Sequence, residues 1–355
     1  MAVTGETNNK IHVLMIGPDR SVHGGISAVV NNYYEAGLDK KVELDYIGTM
    51  KEGSKVYKLM VAAKAYAEFG HKLKWADVVH VNVASDNSFR RKIYFIKKAK
   101  RYGKKVIIHQ HGGEWDDYYN SLSLKRKGQT CSVLKSADKF LVLSPYYKEF
   151  FEKTVGIDDI TVFSDTLKIP DKPVKTHGTG KILFLGRLCR EKGVAELIEA
   201  VIRLHKEYSG IELRLGGIWE DESLSKTIVP YDFINYLGWL DKDKKTRELM
   251  DTDIFVMPSY FEGQSLAILE AMTMNCAVVA TDVGGIPMMI EDGRTGILVK
   301  PKNVDSLYKG IKKVLDDKTL SVKLADEAYD KAKTEFSIDN TINTLIGFYE
   351  ELVHA

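Results

Sequence analysis

Two glutamates stand eight positions apart in the second half of this 355-residue chain, directly after an apolar run. The run 254–257 has the length of a buried strand, so Glu262 would follow a strand end, and Glu270 would lie about one turn inside the next helix, 266–274. Both carboxylates can then face one crevice, where carboxylates bind hydroxyl groups and the free N–H groups of a helix start bind phosphate. This arrangement predicts a site for a sugar nucleotide. The N–H groups at the predicted helix start are those of Gln264, Ser265 and Leu266.

An earlier strand-like run carries two cations into the loop beyond it. The apolar run ends at Gly186, and Arg187 and Lys192 follow within the next six positions. Two fixed cations at a strand end can neutralise a leaving diphosphate, and stabilisation of developing charge is usually the largest contribution to catalysis. We therefore expect Arg187 and Lys192 to be catalytic.

The elements that must position these residues alternate between strand and helix. Six apolar runs in the first half lie at 11–17, 42–47, 78–83, 106–109, 140–144 and 160–163. Six more in the second half lie at 182–185, 213–216, 234–237, 254–257, 277–280 and 297–299. Because helical patterns separate the runs, the sequence predicts an α/β protein with two doubly wound, Rossmann-like domains.

A polar segment rich in proline and glycine, 168–180, separates the two series and is typical of a linker. We therefore place an N-terminal domain at 1–167 and a C-terminal domain at 168–335. The last segment, 336–355, has the apolar spacing of an amphipathic helix.

The composition is that of a globular chain, with 44% hydrophobic residues, 28% charged residues and a net charge of +2. No apolar run reaches the roughly 18 residues of a membrane-spanning helix. The polar opening 1–10 lacks the apolar centre of a secretory signal, which predicts a cytoplasmic protein. Three separated cysteines, Cys131, Cys189 and Cys276, indicate neither a disulfide framework nor a structural zinc site.

The first predicted domain offers a glycine pair and a histidine pair. Gly24 and Gly25 stand just before a helical segment, where the lack of side chains lets the backbone approach a ligand. The same loop has no Gly-x-Gly-x-x-Gly fingerprint and no Lys-Ser/Thr phosphate loop, which disfavours a nicotinamide enzyme. His109 and His111 share one face of the fourth predicted strand. Without a third ligand nearby, they predict no metal site.

The loop after His111 carries candidates for contact with an acceptor. Glu114 and Trp115 follow within four positions and are predicted to face the same crevice. The alternative is an ordinary surface loop.

Positive charge is concentrated in the segment 90–105, which has nine cations and no acid. Its apolar residues 93–96 would face the domain core or a bilayer, while the lysines face solvent. Each Lys or Arg near an anionic membrane contributes about 1 kcal/mol, so we expect this domain to rest on the cytoplasmic membrane near a lipid-linked acceptor. A merely solvated helix and a nucleic-acid-binding surface are the alternatives, the latter without a recognition motif.

Taken in order, these motifs resemble those of the retaining glycosyltransferases of family 4, which have the GT-B fold of two domains facing a cleft. The resemblance runs along nearly the whole chain. It rests on Gly24-Gly25, His111-Gly112, Gly186-Arg187, Lys192-Gly193, Gly216-Gly217, Gly238-Trp239, the pair Glu262 and Glu270, and the segments 281–287 and 292–296. It implies transfer of a hexose from a nucleoside-diphosphate sugar, by frequency a UDP-sugar, to an acceptor hydroxyl with retained anomeric configuration.

The resemblance also implies roles for the residues of the second domain. Arg187 and Lys192 would hold the diphosphate as it leaves. Glu262 would orient the transferred sugar, and Glu270 would hold the ribose hydroxyls. Further backbone contacts to the donor would come from Gly263, Gln264, Ser265 and Leu266.

From the first domain, the resemblance implies that His111 contacts the transferred sugar and Gly25 contacts the donor phosphate. The final helix, 336–355, would cross back to brace this domain. No divalent cation, no cofactor and no protein nucleophile would be needed, because the departing phosphate oxygen accepts the proton of the acceptor hydroxyl. The acceptor would be a lipid-linked glycan in cell-surface polysaccharide or glycolipid assembly.

Two departures from the family pattern stand out. The glutamate motif, which commonly reads Glu-Gly-Phe-Gly-Leu, is Glu-Gly-Gln-Ser-Leu at 262–266, and Phe-Ser-Asp-Thr-Leu at 163–167 replaces an expected Asn-Gly-Val-Asp. Three alternatives remain open: a non-hydrolysing sugar-nucleotide epimerase, an idle binding module, and a nucleic-acid-binding protein that uses the segment 90–105.

Overall fold

The structure, a computed structural model, describes residues 10–355, so the predicted polar leader lies outside the described residues except for Lys10. All twelve predicted strands are confirmed. The first six are β1 (His12–Gly17), β2 (Glu43–Gly48), β3 (Val78–Val83), β4 (Lys105–Gln110), β5 (Lys139–Val142) and β6 (Ile160–Val162). The second six are β7 (Lys181–Leu185), β8 (Glu212–Gly216), β9 (Ile234–Gly238), β10 (Ile254–Met257), β11 (Ala277–Thr281) and β12 (Ile297–Val299).

Helices connect the strands in both halves. In the first half they are α1 (Gly25–Glu35), α2 (Leu38–Lys41), α3 (Lys55–Lys72), α4 (Asp86–Arg101), α5 (Trp115–Ser121), α6 (Leu124–Lys135) and α7 (Pro145–Phe150). In the second half they are α8 (Val194–His205), α9 (Glu222–Thr227), α10 (Lys242–Met250), α11 (Leu266–Thr273), α12 (Ile286–Met289), α13 (Val304–Asp316), α14 (Lys318–Glu335) and α15 (Ile338–His354).

Both sheets are parallel and doubly wound, as the sequence predicts. Their strand orders are β2-β1-β3-β4-β5-β6 and β12-β11-β10-β7-β8-β9. β3 and β11 are buried along their whole length because helices cover both faces of a parallel sheet. The direction of the strand order reverses between β1 and β3 in the first sheet and between β7 and β10 in the second. Ligands of open α/β sheets bind beyond the strand ends at such a reversal.

The chain forms two compact units. The first comprises the described residues up to Leu143, Lys148–Phe163 and Ile338–Ala355, and the second comprises Ser144–Tyr147 and Ser164–Ser337. The final helix α15 thus belongs to the first unit, where it packs on α1 and β3.

The segment 168–180, predicted as a linker, lies wholly in the second unit. The Lys175 ammonium donates hydrogen bonds to the carbonyl oxygens of Leu249 and Met274 at 2.6 and 3.0 Å. The chain passes between the units at 163–164, a few residues before the Pro- and Gly-rich composition begins. The Pro- and Gly-rich composition correctly indicates that this segment lacks regular structure. Its membership of the second unit depends instead on side-chain contacts such as those of Lys175.

Candidate active site

The loops after β7 and β10 lie side by side because these two strands are neighbours where the strand order reverses. A backbone hydrogen bond joins the loops: the Tyr260 N–H donates to the carbonyl oxygen of Glu191 at 2.8 Å. This contact brings the segments that carry Lys192 and Glu262 together at the carboxyl edge of the second sheet.

Lys192 and Glu262 form an ion pair at this edge. The Lys192 Nζ lies 2.6 Å from Glu262 Oε1, and the two side chains are 18% and 11% exposed. The Ser259 hydroxyl donates to the same carboxylate oxygen at 2.9 Å. Thr281 fixes this loop from β11, because its hydroxyl donates to the Ser259 carbonyl oxygen at 2.6 Å. A cation and a carboxylate are therefore held together where solvent screens them weakly.

Arg187 and Glu270, the other two predicted residues of this cluster, have different partners. Arg187 is exposed, and its Nη1 lies 2.9 Å from Glu220 Oε2. Glu270 forms an ion pair with Lys245 of α10. Within the predicted cluster, Lys192 and Glu262 thus form a direct contact.

Sequence reasoning missed three residues of this region: Glu220, Lys245 and Ser259. Glu220 follows the Gly216-Gly217 pair in the loop after β8, and Lys245 follows the Gly238-Trp239 pair. Both glycine pairs were visible as motifs, so the loops were identifiable, but the charged partners beyond them were not.

Glycines allow the Glu262 loop to pack tightly against the loop after β11. A Cβ atom added at Gly284 would lie 1.9 Å from the Glu262 carbonyl oxygen, and one at Gly285 would lie 1.8 Å from the Gly263 carbonyl oxygen. The Gly285 N–H also donates to the Glu262 carbonyl oxygen at 3.1 Å. Because any larger side chain would push this loop away, the predicted motif 281–287 acts here by close backbone approach.

The Gln264 side chain braces the same loop instead of facing a ligand. Its Oε1 accepts from the Asp165 N–H and its Nε2 donates to the Asp165 carbonyl oxygen, both at 2.7 Å. The two departures from the family pattern, at 262–266 and 163–167, therefore contact each other. This contact leaves backbone groups, and not the Gln264 amide, as the ligand-facing groups of this residue.

Helix α11 begins where the sequence predicts, because the Ser265 side chain caps it by accepting from the Ile268 N–H at 3.3 Å. The N–H groups just before the cap and in the first turn donate to no group within residues 10–355. They point out of a helix start that carries a partial positive charge, so they suit an anion. These N–H groups belong to Gly263, Gln264, Ser265 and Leu266.

In the first unit, His111 follows β4 at the carboxyl edge of the sheet. Its Nε2 lies 3.0 Å from Asn82 Oδ1, and its N–H donates to the Val83 carbonyl oxygen at 2.6 Å. The Asn82 side chain thus orients the ring, and the backbone bond to Val83 fixes the position of the residue.

Behind His111 lies a row of buried imidazoles. The His109 ring centroid is 4.1 Å from that of His111 and 5.5 Å from that of His80. His80 Nδ1 and the Tyr349 hydroxyl of α15 share a hydrogen bond of 2.8 Å. Burial lowers the pKa of His80 to about 3 and, with its two histidine neighbours, holds the pKa of His109 well below its usual range. Both rings are therefore neutral at pH 7.

Gly25 is the first residue of α1, at the carboxyl end of β1. A Cβ atom at Gly24 or Gly25 would meet no described atom within 4 Å. Internal packing therefore does not require the glycine pair, which leaves the start of α1 accessible to a ligand.

The predicted acceptor contacts separate into one surface residue and one core residue. Glu114 is exposed immediately before α5. Trp115 is fully buried, with ring centroids 5.1 Å from Phe89 and 5.3 Å from Phe151 in edge-to-face contact. The expectation that Trp115 faces the crevice is therefore wrong, because an aromatic cluster under α5 holds its ring.

The basic segment corresponds mostly to α4, and its expected orientation is wrong at Lys92. Lys92 is buried and donates to Ser88 Oγ at 2.8 Å, and burial lowers the pKa of its ammonium to about 7. Of the apolar residues expected to face the core or a bilayer, Phe95 and Ile96 enter the core, and Tyr94 is exposed among the cations. The position of a side chain around the helix axis, and not its residue type, decides whether it faces outward.

Within residues 10–355, no helix combines the length and apolar character needed to cross a bilayer.

Comparison with known proteins identifies the family of this chain. Residues 179–317, which carry the Lys192–Glu262 pair, match the family model of glycosyl transferases group 1. An uncharacterised glycosyltransferase of Methanocaldococcus jannaschii is 30% identical over 73% of this chain and 72% of its own length. The chain therefore belongs to the group 1 glycosyltransferases and is a glycosyltransferase.

Other relatives are more distant or longer. The N,N'-diacetylbacillosaminyl-diphospho-undecaprenol alpha-1,3-N-acetylgalactosaminyltransferase of Campylobacter jejuni is 26% identical over 85% of this chain and 76% of its own. The alpha-D-kanosaminyltransferase of Streptomyces kanamyceticus is 29% identical over 52% of this chain, which spans 47% of that relative.

Solved structures establish the fold. The sucrose-phosphate synthase of Thermosynechococcus elongatus aligns with a TM-score of 0.82 at 17% identity, over 97% of this chain and 99% of that one. HepE of Anabaena, in complex with UDP and glucose, aligns with a TM-score of 0.77 at 15% identity, over 96% of this chain and 99% of that one. The chain has the GT-B fold, as its motifs predict.

Proposed function

We propose that this glycosyltransferase moves a hexose from a UDP-sugar to an acceptor hydroxyl and retains the anomeric configuration. One observation supports this function best. Lys192 Nζ and Glu262 Oε1 form an ion pair of 2.6 Å beside the N–H groups at the start of α11, which donate to no group within residues 10–355. A cation and free amides suit a diphosphate, and a carboxylate suits sugar hydroxyls. The UDP and glucose bound by HepE support the choice of donor.

Lys192 and Arg187 neutralise the diphosphate as the bond from the anomeric carbon to its oxygen breaks. The acceptor oxygen forms its new bond on the same face of the sugar, and the departing phosphate oxygen takes the acceptor proton. The electron pair of the broken bond stays on the phosphate. These steps require no protein nucleophile and no divalent cation.

Glu262 orients the sugar once a phosphate competes for Lys192 and the ion pair opens. Glu270 holds the ribose hydroxyls in place of its present partner Lys245. Backbone contacts to the donor come from Gly263, Gln264, Ser265 and Leu266.

We assign the acceptor side to the domain at 1–167, with the final helix 336–355, and the donor side to the domain at 168–335. His111 contacts the transferred sugar, Gly25 contacts the donor phosphate, and Glu114 contacts the acceptor.

The acceptor we propose is a lipid-linked glycan used in cell-surface polysaccharide or glycolipid assembly. The name of the Campylobacter jejuni relative, which specifies an undecaprenol diphosphate acceptor, supports this class. The basic helix α4 would hold the enzyme at the cytoplasmic face of an anionic membrane.

A thermal-shift screen with UDP-, GDP- and ADP-sugars tests the donor, because a ligand of the folded state raises the melting temperature by mass action. We expect one UDP-sugar to give the largest shift and to keep it in the presence of EDTA. A larger shift with a GDP- or ADP-sugar, or a shift that EDTA abolishes, would overturn the donor assignment or the metal independence.

Product analysis tests the reaction. Incubation of that donor with undecaprenol-diphosphate-linked sugars should give a longer glycan with the anomeric configuration of the donor, read by NMR. Conversion of the donor alone into its epimer would instead identify an epimerase.

A further inference from the structure

The first half of α3 exposes an apolar stripe that the core does not use. Val56, Leu59 and Met60 are 70%, 76% and 58% exposed. Their spacing of three and four positions places them on one face of the helix. The buried residues of this helix, Ala65 and Phe69, lie on the opposite face.

The exposed stripe belongs to a well-formed helix start. The Ser54 side chain caps α3 by accepting from the Tyr57 N–H at 3.2 Å. Capping satisfies an N–H group of the first turn, so these apolar side chains stand on a formed helix. Contiguous exposed apolar side chains of this kind mark interaction surfaces.

A basic stripe lies on the neighbouring helix α4. The Tyr66 ring of α3 is 3.5 Å from the Tyr94 ring of α4, and Phe69 meets Phe95 at 5.0 Å. The two helices are therefore neighbours on the same face of the first sheet. The outward stripe of α4, at positions three or four apart, consists of Arg90, Tyr94, Lys97 and Arg101.

We propose that the outward face of α3 and α4 is a docking surface for an anionic lipid bilayer. Val56, Leu59 and Met60 enter the boundary between headgroups and acyl chains, and Arg90, Lys97 and Arg101 contact the headgroups. This proposal rests on the proposed lipid-linked acceptor and identifies the element that inserts.

Charge and chemistry favour a bilayer over other partners. A second copy docking through the same face would bring the cations of α4 close to their own copies, and like charges repel. A nucleic acid would pair with Arg90, Lys97 and Arg101 but would leave the aliphatic stripe of α3 exposed. An anionic bilayer matches both stripes at once.

The position of the surface suits the reaction. Helix α3 follows β2, so its exposed first turns lie near the carboxyl end of the first sheet. His111 follows β4 at that same end. Docking through α3 and α4 therefore places this end of the first unit near a membrane-embedded acceptor.

Vesicle flotation tests the apolar stripe. Wild-type protein should bind phosphatidylcholine vesicles that contain about 30% phosphatidylglycerol and bind pure phosphatidylcholine at least about tenfold more weakly. The double variant Val56→Gln/Leu59→Gln should lose at least about tenfold in affinity for the anionic vesicles. The matched control is Val174→Gln/Val229→Gln, which changes two aliphatic residues of the second unit that are 99% and 80% exposed. This control should bind like wild type.

The double variant Lys97→Gln/Arg101→Gln tests the basic stripe. It should bind anionic vesicles more weakly than wild type, and its binding should depend less on salt concentration. Lys226→Gln/Lys313→Gln removes two exposed cations of the second unit and should change neither.

Equal binding of wild type to both vesicle types would overturn the proposal, and so would full binding of Val56→Gln/Leu59→Gln to the anionic vesicles. A dimer that light scattering detects in wild type and not in this variant would also overturn it. The thermal shift with a UDP-sugar in solution separates this proposal from the proposed function. It should be the same in wild type and in Val56→Gln/Leu59→Gln. Vesicle binding without any donor shift in wild type would overturn the proposed reaction and leave the docking surface standing.

Discussion

The contact between Lys192 and Glu262 couples two tasks in one pair of side chains. The cation holds the carboxylate in place, and a bound diphosphate can take over the cation and leave the carboxylate for sugar hydroxyls. Ser259 holds the same carboxylate oxygen at 2.9 Å, so Glu262 keeps a partner when Lys192 turns to phosphate.

Replacing either member of this pair should remove transfer while the chain stays folded. We expect Lys192→Ala and Glu262→Ala to lower kcat/KM by about 100- to 1000-fold, because each removes a group that stabilises the transition state. Initial rates with the identified donor, and circular dichroism for the fold, measure this.

The matched control is Lys181→Ala at the start of β7. It breaks an ion pair of 2.7 Å with Asp251, which is more exposed than the Lys192–Glu262 pair. It should turn over at a near-normal rate. Near-normal turnover of Lys192→Ala or Glu262→Ala would contradict the site assignment.

The buried imidazole row predicts a pH dependence of stability. The pKa of His80 is about 3 in the folded state against 6.5 for the free side chain, so the unfolded chain binds the extra proton between these values. The contribution of His80 to stability is therefore present above pH 6.5 and is lost as pH falls from 6.5 towards 3, at up to about 1.4 kcal/mol per pH unit. Urea unfolding at several pH values from about 4 to about 7 measures how the free energy of unfolding changes with pH.

His80→Gln should make this slope less steep, because one of the two buried imidazoles is removed, and replacement of the exposed His71 by Gln should leave it unchanged. An unchanged slope in His80→Gln would show that His80 is not the group that titrates.

At the scale of elements, the neighbouring positions of β7 and β10 explain why residues far apart in the sequence share one edge. The loop after β10 is then fixed from three directions: by Thr281 on β11, by the glycines 284–285, and by the Gln264 contact with Asp165. A loop held in this way presents its backbone N–H groups in one arrangement, which limits the entropy lost when a ligand binds.

The Gln264 brace is testable. Gln264→Leu removes both hydrogen bonds to the Asp165 backbone and leaves buried polar groups without partners, which should cost about 1–3 kcal/mol of stability. We also expect the KM for the donor to rise about tenfold, because the loop that binds it is no longer fixed. Urea unfolding and donor titration measure the two effects.

Gln129→Leu, at an exposed position of α6, serves as the control and should leave both quantities unchanged. An unaltered donor KM in Gln264→Leu would mean that the brace serves the fold alone.

At the scale of the whole molecule, the chain returns to its first unit at the end. Helix α15 places Leu345 and Tyr349 in the core of that unit, where the Tyr349 hydroxyl shares a hydrogen bond with His80 Nδ1. The first unit therefore completes its core with the last residues of the chain, whereas the second unit is built from one nearly continuous segment.

This arrangement predicts separate stabilities for the units. Leu345→Ala should destabilise the first unit by about 2–5 kcal/mol through loss of a buried side chain. Donor-induced stabilisation of the second unit should persist. Leu124→Ala, at an exposed leucine, should change stability by less than about 0.5 kcal/mol. Differential scanning calorimetry with and without donor separates the two transitions, and a single transition shifted as a whole would contradict independent units.

The sequence by itself determined the strands, their parallel arrangement and the loops that carry the site. Fully buried parallel strands appear as short apolar runs, so β3, β10 and β12 begin and end at the predicted residues. The motif residues Lys192 and Glu262 were visible because each lies in the loop that follows such a run.

The tertiary structure alone decided which side chains pair and which face solvent. Trp115 and Lys92 are buried, Gln264 turns to the Asp165 backbone, and Arg187 pairs with Glu220. The physical reason is that apolar periodicity is a local property of the chain, whereas burial and pairing depend on neighbours that only folding brings close.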